Sequence, residues 1–235
     1  MASNDRYESP KPTAGDHLHT LARAGIGSIP IVGAAAEELL GLLIAPPLEK
    51  RRRKWMESVG EGLRALEQER SLRLEDLRTN EAFIDTVAHA SQAALRNSQQ
   101  DKVDALRNAV LNAALPNPPE ESIQQIFVSL VDTSTVWHLR ILRLLDDPPR
   151  WFVENGRGPL EPATGSLANL LEIAYPDMRG QRSLYDKIVT DLYSSGLIGL
   201  DSLHVVMSGG GSLSSRSTAL GKQFLGFITK PKGGK

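Results

Sequence analysis

NEAFIDTVAHASQAALRNSQQDKVDALRNAVLNAAL, residues 80–115, reads as two helices separated by a short break, and it sets the fold class. Asn80 suits the cap of the first helix, because its side-chain oxygen accepts from a backbone N–H that the first turn leaves free. Phe83, Ile84, Val87, Ala90, Ala94 and Leu95 follow at the 3.6-residue period and predict its buried stripe. Asn97 and Ser98 form the break. Val103, Leu106, Val110 and Leu111 repeat the pattern until Pro116 ends the second helix. Alanines crowd both packing faces, so the backbones can approach closely, as in an antiparallel hairpin within a bundle.

Toward the N-terminus, an apolar segment runs from Ile26 to Ala45. Glu37 and Glu38 in its middle oppose a transmembrane span, and Pro46 and Pro47 are expected to close its helix. The segment is expected to pack on protein, with Leu39, Leu40 and Leu43 as a candidate partner interface; insertion into a membrane under some trigger is the alternative. A second helix should follow the prolines, with Trp55, Met56, Val59, Leu63 and Leu66 on one stripe. Lys50, Arg51, Arg52, Arg53 and Lys54 open that helix, against its dipole, and are candidate contacts to lipid or nucleic-acid phosphates. The plainer reading is a solvated helix start. Residues 1–20 read as a flexible polar tail, and Asp5 and Glu8 oppose a signal peptide.

Toward the C-terminus, Pro116–Pro119 form a joint before a helix carrying Ile123, Ile126, Phe127 and Leu130. Thr133 or Ser134 should cap the next helix, which is apolar on more than one face and expected at the centre until Pro148 and Pro149 stop it. Residues 149–165 read as a linker between a helical bundle (21–148) and a second module (166–230), with a short tail at 231–235. In the second module two helices, the latter ended by Gly196, precede LHVVMS, GGGS and LSSRS, and Thr218 caps a last helix. That order predicts a winged-helix-like module whose β-hairpin turns at the glycines. The fold class is therefore mainly α, a helical bundle followed by a winged-helix-like module with a short β-hairpin.

The chain has no cysteine, which excludes disulfides, thiolate metal sites and cysteine nucleophiles. Its net charge of -1 supplies no global field toward nucleic acid or anionic lipid. Gly25–Gly33 lacks the third glycine of a dinucleotide fingerprint, and Gly209–Ser212 lacks the lysine of a phosphate loop. Asp16, His17 and His19 make a poor metal site on a tail. Asp85 and His89 are spaced as a structural pair, His138 reads as a satisfied interior histidine, and His204 has no partner pattern. Adjacent carboxylates such as Asp146 and Asp147 read as helix-end charges. No catalytic, cofactor or metal residues emerge.

Residues 80–148, with SLYDKIVTDLYSSGLI and STALGKQFLGFI nearer the C-terminus, resemble a group of uncharacterised bacterial proteins. The pattern is also distantly similar to the abortive-infection alpha proteins linked to phage defence, through Gly196-Leu197-Ile198 followed by Thr218, Gly221 and Phe224. The resemblance implies a helical body and supplies no catalytic residues.

The expected function is that of a non-enzymatic, cytoplasmic interaction or adaptor protein, with a protein partner or a second copy and no small-molecule substrate. One alternative is a membrane-active defence effector using residues 26–45 and 50–54. The other is a nucleic-acid-binding regulator, for which Arg179, Arg182, Lys187 and Arg216 are the further candidate contacts.

Overall fold

The computed structural model describes residues 34–69, 72–158 and 165–231. These are mainly helical, with eleven α-helices and one two-stranded antiparallel sheet among them. The tail at 1–20, the glycines at 25–33 and the histidines at 17 and 19 lie outside the described residues. Contacts divide the chain into two units, Met1–Lys54 and Trp55–Lys235.

In the first unit the described part is helical backbone from Ala34 onward, the start of helix α1 (Ala34–Gln68). Pro46 and Pro47 do not close this helix, contrary to the expectation from sequence. Each proline removes one backbone donor. The described side chains between Ile44 and Lys50 are exposed, so water can take the carbonyls left without a donor. The backbone at Leu39, Leu40 and Leu43 is helical, while their side chains lie outside the described residues.

The second unit begins with the remainder of α1. Trp55, Val59 and Leu66 are buried there and Met56 is 59% exposed, so the stripe is narrower than the sequence reading. A short α2 (Leu74–Leu77) leads to α3 (Glu81–Arg96) and α4 (Gln100–Ala113), the pair with which the sequence reading began. Asn80 caps α3 by accepting from Phe83 N at 3.1 Å. Ala90, Ala93, Ala105 and Ala109 are wholly buried, which is the close approach that alanine permits. Ile84 is 40% exposed and Thr86 is buried, so the stripe is rotated by part of a turn. The reason is polar: Thr86 donates to Gln124 Oε1 at 2.9 Å inside the core, fixing α3 against α5 (Glu121–Thr133). Lys102, also buried, donates from Nζ to Asp132 O at 2.8 Å, where a cation meets the carbonyl end of α5.

Helix α6 (Val136–Asp146) is the central one, with Leu139, Ile141, Leu142, Leu144 and Leu145 each at most 1% exposed. Its cap is Thr135, not Thr133 or Ser134, because Thr135 completes a reciprocal cap with His138. Pro148 and Pro149 open a helix, α7 (Pro148–Glu154), where the sequence reading places a linker. Asp147 accepts from Arg150 N at 3.1 Å, and proline loses nothing in a first turn.

Strand β1 (Gly165–Ser166) runs into α8 (Leu167–Ala174), and α9 (Arg182–Ser194) ends at Gly196, whose φ of 69° suits glycine. The expected hairpin is not formed. Strand β2 (Val206–Met207) pairs with β1, and the glycines make a helical turn, α10 (Gly209–Ser212). Ser208 caps that turn, and the Arg216 guanidinium donates to Gly211 O. The arm expected to fold back as a second strand instead pairs at Ser217 with Ile198 and donates from Arg216 N to Leu145 O at 2.8 Å.

Thr218 caps α11 (Ala219–Ile228), which packs on α4 and seats Phe224 and Phe227 against Phe127 at 5.3 and 5.7 Å. Asn112 and Asn108 on α4 donate to the carbonyls at the end of α11. At the other end of α11, a Cβ on Gly221 would lie 2.0 Å from Leu197 O, a backbone atom that cannot step aside. A Cβ on Gly62 would meet only the ends of the Leu111 and Arg107 side chains, at 2.7 and 2.8 Å. Gly221→Ala is therefore expected to lower stability in urea titration by about 1–3 kcal/mol or more. Gly62→Ala is expected to change it by less, since helix propensity returns up to about 1 kcal/mol.

Candidate functional site

Five segments of the second unit line a cleft of about 660 Å³. Helix α6 contributes Arg140, Arg143 and Asp146, three residues of one helical face. Asp101 and Asn108 come from α4, and Asp147, Arg150, Trp151 and Glu154 come from α7 and its cap. Tyr175 follows α8, while Leu225, Thr229 and Lys230 close the far side at the end of α11.

The aromatic wall is built on Tyr175, which lies 5.3 Å from Trp137 and 5.0 Å from Trp151 between ring centroids. Edge-to-face contacts of this kind favour a fixed arrangement over a sliding one. Tyr175 donates its hydroxyl to Arg140 O at 3.1 Å. Burial pushes its phenol up to about 12, so at neutral pH it is a neutral donor. The Arg140 guanidinium rests over Trp137 at 5.3 Å and reaches Asp101 at 2.9 Å.

The charges around the cleft balance. Four cations, Arg140, Arg143, Arg150 and Lys230, face four carboxylates, Asp101, Asp146, Asp147 and Glu154. Arg140 is paired with Asp101, and Arg150 with Glu154 at 2.6 Å; Asp147 caps α7. Among the described residues the side chains of Arg143 and Asp146 form no hydrogen bond or ion pair, although the Arg150 guanidinium attracts Asp146. Asp146 Oδ1 is buried with no hydrogen-bond partner. An unmet acceptor of this kind costs about 1–3 kcal/mol in a folded chain unless a buried water or ion meets it.

None of the residues singled out from sequence lines this cleft except Asp146 and Asp147, which were read as helix-end charges. Both stand at helix ends: Asp146 is the last residue of α6, and Asp147 caps α7. Lys50, Arg52, Arg53 and Lys54 are exposed on α1, with Arg51 half-buried. Arg179, Arg182 and Lys187 are exposed on and before α9, but Arg182 pairs with Asp186 at 3.4 Å and Lys187 pairs with Asp191. Lys187 and His138 hold the Asp191 carboxyl below its usual range. Arg216 turns inward to Gly211 O and Met207 Sδ, so it is structural. His89 bonds Gln125 at 2.9 Å and not Asp85; His138 is satisfied by Thr135 and Asp191; His204 meets Asp186 at 2.7 Å. No group of three or more His, Asp or Glu among the described residues is placed to hold a metal.

Comparison with protein-family models, curated proteins and solved structures returns no match. The cleft must be understood from its own chemistry. Among the described residues no helix is long and apolar enough to cross a membrane.

Sequence could have pointed to the cleft through one signal. Arg140 and Arg143 stand at helical spacing on the helix expected at the centre, where charges are out of place unless something engages them.

Tyr175 gives a pH test. Its folded pKa lies above that of a free phenol, so the stability it contributes is whole below about pH 10. That contribution is lost as pH rises through about 12. Wild type should lose stability to urea between these values, and Tyr175→Phe should lose measurably less across the same window; equal losses would show that Tyr175 ionisation plays no part.

Proposed function

We propose that this chain is a non-catalytic interaction protein that captures a partner through the charged cleft. The observation that carries this reading is the pair Arg143 and Asp146, opposite charges lining the cleft whose side chains form no hydrogen bond or ion pair among the described residues. Its walls support binding over catalysis: among the described residues no histidine, serine or cysteine lines the cleft, and its buried tyrosine stays protonated at neutral pH. Residues 166–230 are read as the winged-helix-like docking element of the same protein. Supporting this is the order of β1, α8 and α9 followed by the Ile198–Ser217 bridge. In this reading the wing is a short capped turn, and α11 supplies the far lip of the cleft.

The test is a photo-crosslinking residue at Asn155, on the cleft rim, in the cells that make the protein. A discrete crosslinked protein is expected, and it should disappear in Arg143→Ala and Asp146→Asn. The same probe at Glu81, exposed and outside the cleft, should give none. Identical products from both positions, insensitive to the two substitutions, would defeat the reading.

A second reading is favoured by the exposed cations Lys50, Arg52, Arg53 and Lys54, which form one helical turn beside exposed Ile44 and Leu48. We infer a contact with a phosphate-bearing surface there, lipid first, because apolar side chains accompany the charges. Changing the four to Gln should abolish salt-sensitive flotation with anionic vesicles. Undiminished flotation would refute it, and loss of duplex DNA retention without any vesicle effect would assign the run to nucleic acid.

A further inference from the structure

We infer that the cleft recognises a partner segment carrying a basic and an acidic side chain side by side, the basic one seated on Asp146 and the acidic one on Arg143. This rests on the proposed interaction function and names the chemistry of what is captured.

Three observations lead to it. The first is net charge: with four cations against four carboxylates around the cleft, the site offers no field for a pure anion or a pure cation. A phosphate group drawn to Arg143 would have to accept Asp146 as a neighbour, and an amine drawn to Asp146 would have to accept Arg143. A ligand bearing both charges meets no such penalty. The second is pairing. Arg140 and Arg150 are held by Asp101 and Glu154, whereas the side chains of Arg143 and Asp146, three apart on α6, form no ion pair among the described residues.

The third is spacing. Residues three apart on a helix hold their Cβ atoms about 5–6 Å from one another, and a pair three or four apart on a partner helix matches that separation. Opposite charges on the two helices then cross as two ion pairs, each partly shielded from water within the cleft. A volume of about 660 Å³ lies within the range of about 300–1,000 Å³ that accommodates ligands larger than one side chain. Trp151 and Tyr175 supply the apolar wall against which the stems of such side chains can lie.

The probe is a set of alanine-based helical peptides with both termini blocked, titrated into the full chain by calorimetry. One carries a Lys and a Glu four residues apart, one carries the Lys alone, one the Glu alone, and one replaces both by Gln. The paired peptide should bind, weakening as salt rises. Arg143→Gln and Asp146→Asn should each weaken it on the order of tenfold or more, while each variant still melts in a single cooperative transition. The single-charge peptides should bind no better than these variants bind the paired one.

Equal binding of the paired and single-charge peptides would overturn the inference, as would binding indifferent to both substitutions or no binding at all. Tighter binding of the free Lys-Glu dipeptide than of the blocked peptide would overturn the segment and assign the cleft to a small zwitterion. Failure of the peptides while crosslinking at Asn155 still depends on Arg143 and Asp146 would sink this inference alone and leave the interaction function standing.

Discussion

The packing of the last helix on the middle of the chain is the constraint on which the rest depends. Helix α11 lies on α4, its two phenylalanines close around Phe127 of α5, and its C-terminal carbonyls are taken by Asn108 and Asn112. More than a hundred residues of chain separate the two asparagines from the carbonyls they take, so this contact closes a long loop. Gly221 is required at the other end because the backbone of Leu197 passes where any side chain would stand. The cleft inherits this arrangement: Leu225, Thr229 and Lys230 face Arg143 and Asp146 only while α11 is docked.

Within the helices, apolar residues supply the cohesion and a few buried polar groups set the rotation. Thr86 and Gln124 fix α3 relative to α5, and Lys102 ties α4 to the last carbonyls of α5. A buried hydroxyl or ammonium tolerates few positions, because a missed hydrogen bond inside the core costs more than a shifted methyl group. These contacts explain why the buried face of α3 differs from its most hydrophobic face, with Ile84 facing outward and Thr86 inward.

Much of the helical order was legible in the sequence, because periodicity and capping are local. Asn80, Gly196 and Thr218 each act where their chemistry places them, and α6 is as central as its apolar faces imply. The misreadings fall where a distant partner decides. Pro148 stops α6 as read, and the misread part is the linker after it, where the Asp147 cap starts α7. The glycine turn was read as the tip of a hairpin, but β2 finds β1 from forty residues upstream, and Arg216 turns the following arm toward Leu145. The cleft was hidden for the same reason: its walls come from five segments, and no local spacing relates Asp101 to Lys230.

Two of the three tryptophans of the chain stand against Tyr175, and Trp151 is part of the cleft wall, whereas Trp55 sits in the core on α1 with its indole N–H on Ser91. Indole emission shifts in colour with the polarity around the ring. The molecule therefore carries a built-in optical reporter: a change confined to the cleft should alter part of its fluorescence and leave the contribution of Trp55 as an internal reference.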